Sequence, residues 1–217
     1  MVLVQYPEPT PILRFVHLQN LGLYLQREAM HAPNFTPGDG LAFVPNHSEE
    51  VQGKRSQCGV FCGPGGCLHD YVPFYFGPLS PMMLQLNTGQ VPGYTDGQAP
   101  LVYLESTCQT IERLGRPFVF TDGHAIAAYT SFYDNLGSLG EIDWSMVDQR
   151  YWSDNASDSD RQRRKQAEFL VHEFVPWDAI TGITVIDETR RAAVSSMLGT
   201  SGAAAIPISV RRDWYYW

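Results

Sequence analysis

The sequence predicts an α+β fold. Short strand-like and short helix-like runs mix without the strict alternation of a doubly wound sheet. The 217 residues include 19 glycines and 15 prolines, which favours loops over a helix bundle. No G-x-G-x-x-G follows a strand and no G-K-[ST] is present, so the common phosphate-cradling loops are excluded. Apolar residues make up 44% and charged residues 18%, ordinary globular material for one domain spanning 1–217. A formal charge of -8 excludes a generally basic nucleic-acid coat. Any contact with nucleic acid must then come from a local patch. No apolar run of about 18 residues exists, so no membrane span or membrane partner is expected. Met1 to Pro11 lacks a basic start followed by an apolar stretch, so the expected compartment is the cytoplasm.

The elements follow in order. Residues 12–17 read as a short strand. Leu18, Leu21, Leu25 and Ala29 recur at helical spacing and predict a helix over 18–29. Residues 33–53, rich in proline and glycine, read as a long loop, and loops of that length tend to be functional. Residues 71–76 form an aromatic strand whose Pro73 favours an edge or a bulge. Residues 81–88 are a short apolar segment. Residues 100–106 are a buried strand, 107–114 a short helix and 117–121 another strand. Residues 124–136 read as a helix, with Ala125, Ala128, Phe132 and Leu136 on one side. Residues 141–166 are polar and end in a basic run. Residues 167–175 suit a strand by their β-branched and aromatic content. Strands at 182–186 and 206–211 flank a helix at 188–198.

Several residues can carry chemistry. Glu168 stands where a polar segment gives way to an apolar strand, where half-desolvation makes a carboxylate a usable acceptor or base. The alternative is a solvated carboxylate paired with Arg164. Arg161, Arg163, Arg164 and Lys165 put four positive charges in five residues. They form either a solvated face or a clamp for an anionic backbone. His17 ends a strand, with Asn20 three residues on. Arg55, beside Lys54, ends the long loop and can present a planar fork to an anion. Asp122 precedes His124 and can simply cap a helix. Of Tyr71, Phe74, Tyr75 and Phe76, most rings belong to a core, and one or two can line a cleft and stack on a flat ring. Cys58, Cys62 and Cys67 have C-x3-C-x4-C spacing, which lacks paired knuckles and argues against zinc.

Taken together and in order, several phrases resemble the DarT family of toxins that ADP-ribosylate DNA. They are Phe15-Val16-His17-Leu18-Gln19-Asn20-Leu21, Gly65-Gly66-Cys67-Leu68-His69-Asp70-Tyr71-Val72-Pro73-Phe74-Tyr75-Phe76, Ser80-Pro81-Met82, and Pro117-Phe118-Val119-Phe120-Thr121-Asp122-Gly123-His124-Ala125. Arg150-Tyr151-Trp152, Arg163-Arg164-Lys165-Gln166-Ala167-Glu168-Phe169-Leu170-Val171 and Asp213-Trp214-Tyr215-Tyr216 complete the set. The resemblance implies an ADP-ribosyltransferase-like split β-sandwich with short helices. It implies transfer of ADP-ribose from NAD, a co-substrate, to thymine in single-stranded DNA, without a metal, by a monomer. The usual partner is a DarG-like macrodomain antitoxin. The resemblance makes Glu168 and Arg55 catalytic. It places His17 and Asn20 at the NAD ribose, with Tyr71 on the cofactor side. It turns His124 and Arg164 toward DNA, where Arg161, Arg163 and Lys165 hold phosphates. A guanine, RNA or protein acceptor, or a non-catalytic binding module, are the alternatives. Because Glu168 is read as a strand end outside a packed centre, Glu168→Ala is expected to abolish transfer and leave the fold intact.

Overall fold

A computed structural model describes residues 6–201 and 206–217. The first strand, β1 (Pro11–His17), buries both faces. Ile12 and Val16 join the larger apolar core, while Leu13 and Phe15 join a second one. The predicted helix over 18–29 is shorter, α1 (Leu21–Arg27), entered through a 3-10 turn. Glu28 ends it in the left-handed region at φ 52°. The chain then forms β2 (Ala29–His31).

Part of the expected loop is a helix, α2 (Glu49–Gln57). Val51 is its only bulky apolar residue, so no hydrophobic period marks it. End effects stabilise it instead. The Ser48 hydroxyl accepts from the Val51 amide, Glu49 and Glu50 occupy the first turn, and Lys54 and Arg55 the last. Lys54 pairs with Glu50 one turn back.

Next come β3 (Tyr71–Tyr75), α3 (Pro81–Asn87), β4 (Leu101–Thr107), α4 (Cys108–Arg113), β5 (Phe118–Thr121) and β6 (Phe132–Tyr133). Ser80 and Thr107 cap α3 and α4. The helix expected over 124–136 is absent. The Ala125 amide donates to Glu168 Oε1 and the His124 amide to the Arg163 carbonyl, while the His124 carbonyl accepts from the Ala127 amide and the Thr130 hydroxyl, so the segment forms turns anchored to its neighbours instead of a helical ladder. After α5 (Trp144–Val147) and α6 (Arg161–Lys165), the strand expected over 167–175 breaks in two at Glu173, whose φ is 63°. Its halves are β7 (Glu168–His172) and β8 (Phe174–Pro176). The chain closes with β9 (Gly182–Val185), α7 (Glu188–Ser201) and β10 (Ile208–Val210).

Eight strands line up as β10-β9-β4-β1-β3-β7-β5-β6, while β2 and β8 form a separate pair. Among the described residues only β10 and β9 run parallel. The long sheet is nearly cut in half. β1 pairs with β4 over seven positions, but with β3 only at Leu13 and Tyr75. Pro73 explains the gap. Of the edge or bulge expected for it, the edge does not hold: Pro73 lies in an interior strand, opposite Leu170 of β7. In a strand the N–H and C=O of one residue point the same way. The Pro73 carbonyl accepts from Arg14 of β1, so its missing N–H faces β1 as well and no ladder forms there. The fold is α+β, with the sheet split into two four-stranded halves and a cleft at the split.

Candidate active site

Glu168, the first residue of β7, is only 2% exposed. Its backbone is fixed first: its amide donates to the Thr121 hydroxyl, which donates to the Gly123 carbonyl. Its carboxylate has two partners. Oε1 accepts from the Ala125 amide at 3.0 Å, and Oε2 from Arg55 Nη1 at 2.9 Å. Glu168 is therefore not the half-solvated partner of Arg164 that the sequence allowed. It pairs with Arg55, which is 7% exposed near the end of α2. Helical spacing places Ser48, Val51, Gln52 and Arg55 on one side of α2, and all four line a cleft of about 480 Å³.

His124 and Asn20 line the same cleft. Burial holds the His124 pKa below its usual 6.5, with Glu168 opposing and Arg55 reinforcing the shift, so the imidazole is neutral at pH 7. The Asn20 carboxamide is committed to the backbone of the loop between β2 and α2. It donates to the Val44 carbonyl at 2.9 Å and accepts from the Val44 amide at 2.8 Å. Arg27 grips the same loop through a two-pronged pair with Asp39 and lies over the Phe43 ring. Tyr71 walls the cleft but is fully buried, with its hydroxyl donated to the Gly65 carbonyl.

His17 is not among the cleft-lining side chains. Its Nδ1 accepts from the Gln19 amide, and its ring meets Tyr94 edge-on. Its Nε2 lies 3.3 Å from Asp96 Oδ2 but without hydrogen-bond geometry.

The basic run does not present four free cations. The side chains of α6 that line the cleft are Gln162 and Gln166, one helical turn apart. Arg163 is held by Asp160 and Asp122 and packs against Gly123, where a Cβ would collide with its guanidinium. Arg164 contacts Asp143, Asp158 and Asp160. Lys165 is buried, its ammonium donating to the Val147 carbonyl, and burial lowers its pKa to about 8. Arg161 differs. Its guanidinium donates to the carbonyls of Tyr151 and Ser153, and among the described residues no carboxylate lies within 4 Å of it.

Sequence reasoning missed Arg14, His47, Gln52, His69, Gln162 and Gln166 as cleft residues. Arg14 alone left a signal, as a charge inside the apolar run Ile12-Leu13-Arg14-Phe15-Val16. The cleft suits a dinucleotide. Arg14 Nε and Arg55 Nη2 are buried guanidinium nitrogens without a hydrogen-bond partner, as an anionic occupant requires. Among the described residues no group of three or more His, Cys, Asp or Glu side chains is arranged to hold a metal, and the four cysteines are free thiols. No helix among them is long and apolar enough to cross a membrane.

Comparison with known proteins gives a consistent answer. The profile described as "ssDNA thymidine ADP-ribosyltransferase, DarT" matches residues 13–216. A DNA ADP-ribosyl transferase of Thermus sp. (strain 2.9) is 37% identical over 97% of this chain and 98% of its own length. One from Escherichia coli O127:H6 is 31% identical over 97% and 95%. The Thermus sp. 2.9 DarT structure in complex with ADP-ribosylated ssDNA superposes with a TM-score of 0.90 at 35% identity, covering 98% of this chain and 99% of that one. The same protein in complex with NAD+ gives 0.86, covering 98% and 100%. With its buried carboxylate–arginine pair lining the cleft of a split sheet, this chain belongs to the DarT family of DNA ADP-ribosyltransferases.

Proposed function

We propose that this protein transfers ADP-ribose from NAD to a thymine of single-stranded DNA, with Glu168 and Arg55 as its catalytic residues. The Arg55–Glu168 pair inside the cleft carries this reading. The bond from ribose C1′ to the nicotinamide nitrogen breaks, and neutral nicotinamide leaves. A bond forms from C1′ to a ring nitrogen of the base, and the proton of that nitrogen passes to the Glu168 carboxylate. The ring nitrogen sheds this proton only well above neutral pH, so a carboxylate held in place is needed. Ala125 and Arg55 hold it, one on each oxygen. Arg55 has a further buried N–H to set against negative charge developing on the base. Neutral His124 lies on the acceptor side as a hydrogen-bonding group.

Asn20 serves the dinucleotide through the loop it fastens, Tyr71 as a rigid wall, and His17 through the 3-10 turn it caps, which carries Asn20. Arg161 is the phosphate contact of the basic run, while Arg163, Arg164 and Lys165 brace the surface that presents it. The acceptor base is unstacked or single-stranded, since pairing would occupy its ring nitrogen. Metal-free transfer by a cytoplasmic monomer, with no membrane partner and a DarG-like macrodomain antitoxin that removes the mark, completes the proposal.

Mass spectrometry of mixed-sequence single-stranded oligonucleotides after exposure to NAD tests it. The expected result is one added ADP-ribose, mapped to thymine. Modification confined to guanine, RNA or protein would redirect the acceptor assignment. Absence of nicotinamide release would make the protein a binding module.

A further inference from the structure

Arg14 is a cation within an apolar strand, and among the described residues its charge has no counter-charge. Its Nη1 donates to the Pro73 carbonyl at 2.8 Å, while its Nε is buried and unpartnered. Among the described residues no carboxylate lies within ion-pair reach. Its charged neighbour is a second cation, Arg55, and its polar neighbours are the Tyr24 and Tyr75 phenols. Both phenols are neutral at pH 7, because burial raises their pKa values. Leaving a guanidinium in such surroundings is costly unless an anion joins it.

The sheet explains why Arg14 sits there. On one side its backbone pairs with Leu104 of β4. On the other the ladder has stopped, because Pro73 offers no N–H. The Arg14 side chain crosses the gap in place of the missing ladder bond and lines the cleft. Arg55 also keeps a buried, unpartnered Nη2, but Glu168 meets much of its charge, which leaves Arg14 as the less compensated cation.

We propose that Arg14 forms a phosphate-binding subsite at the split between β1 and β3, and that its ligand is the diphosphate of the dinucleotide. This rests on the NAD reading above and adds a residue to it. Of the parts of NAD, only the diphosphate is anionic; the riboses and adenine are neutral and the nicotinamide ring is cationic. A guanidinium fork matches phosphate oxygens in shape and charge. Arg14 is a positioning residue: it meets a group that does not react, so it changes KM rather than kcat.

The test compares wild-type protein with Arg14→Gln, which keeps a donor for the Pro73 carbonyl, and with Arg14→Lys, which keeps the charge. Affinities are measured for NAD, for adenosine (which lacks the diphosphate) and for a thymine-containing oligonucleotide. Arg14→Gln is expected to weaken NAD binding about tenfold or more, with kcat, adenosine and oligonucleotide affinity little changed. Arg14→Lys should recover part of the loss. Unchanged NAD affinity overturns the proposal. So does an equal loss for adenosine, which would mean a cleft-shaping role, or a loss confined to the oligonucleotide, which would make the phosphate a DNA phosphodiester. If Arg14→Gln fails to fold, Arg14→Lys decides alone: loss of the fork should weaken NAD several-fold and leave adenosine unchanged, and no such difference overturns the proposal. Wild-type protein that binds no NAD would instead refute the underlying functional reading.

Discussion

Arg55 Nη1 and Glu168 Oε2 lie 2.9 Å apart, in two side chains separated by 113 positions of sequence and both closed off from bulk water. The pair ties helix α2 to the first residue of β7, so the groups that perform the chemistry also hold the cleft together.

Substitution of Glu168 therefore has two effects. Glu168→Ala leaves Arg55 buried without its partner and the Ala125 amide without its acceptor, which costs up to about 3–5 kcal/mol. The intact fold expected from a strand-end position does not follow, because Glu168 is 2% exposed and ion-paired. Glu168→Gln keeps an oxygen for the Ala125 amide and should be destabilised less. Both variants should lose NAD-dependent transfer. Melting temperature and nicotinamide release, measured side by side, check this. Transfer at the wild-type rate by a folded Glu168→Gln protein would remove the carboxylate from the reaction.

Much of this was legible in the sequence, for identifiable reasons. The strands β1, β4, β5 and β9 announce themselves as apolar runs between turn residues. Glu168 and Arg55 stand out in the sequence as residues able to carry chemistry, the family likeness makes them catalytic, and burial gives them a physical partnership. Helix α2 was illegible because caps and end charges stabilise it, rather than an apolar stripe. The segment from His124 carries a helical apolar spacing, yet its first two amides are drawn to Arg163 and Glu168, long-range partners that no local pattern reveals. The basic run misled in a related way. Four positive charges in five residues say nothing of Asp122, Asp143, Asp158 and Asp160, which the fold brings to Arg163 and Arg164.

That arrangement separates Arg161 from Arg164. Arg161→Ala removes a cation without a carboxylate partner and should weaken binding to single-stranded oligonucleotides. The slope of log affinity against log salt should become shallower by about 0.7, the value for one lost phosphate contact. Arg164→Ala frees three carboxylates from their shared partner, so it should lower the melting temperature. Titrations across a salt series, with thermal melts in parallel, separate the two roles. An equal change of slope in both variants would contradict the division.

Lys165 offers a pH test. Burial lowers its pKa from 10.5 to about 8 in the folded protein. Between those values the unfolded chain holds the proton and the folded one has released it, so stability rises with pH across this window. Below pH 8 both states carry the charge and the full burial cost remains. The whole window amounts to about 3 kcal/mol at most. The melting temperature of wild type minus that of Lys165→Met should increase between pH 8 and pH 10. A difference that stays flat would mean the ammonium is solvated.

Asn20 tests the loop over the cleft. Its carboxamide makes both hydrogen bonds to Val44, one as donor and one as acceptor, in the manner of a strand partner. Asn20→Ala removes both and leaves the Val44 backbone to water, while the Arg27–Asp39 pair still anchors the loop farther along. The loop then spends more time away from the cleft, and a ligand that needs it closed must order it on binding. KM for NAD should rise about threefold to tenfold with a smaller effect on kcat, since each net hydrogen bond is worth about 1 kcal/mol. Asn20→Asp keeps the acceptor for the Val44 amide but sets a carboxylate against the Val44 carbonyl, so it should behave no better than Asn20→Ala. If Asn20 instead touched the reacting ribose directly, kcat would fall along with the affinity, and steady-state kinetics on the two variants would show it.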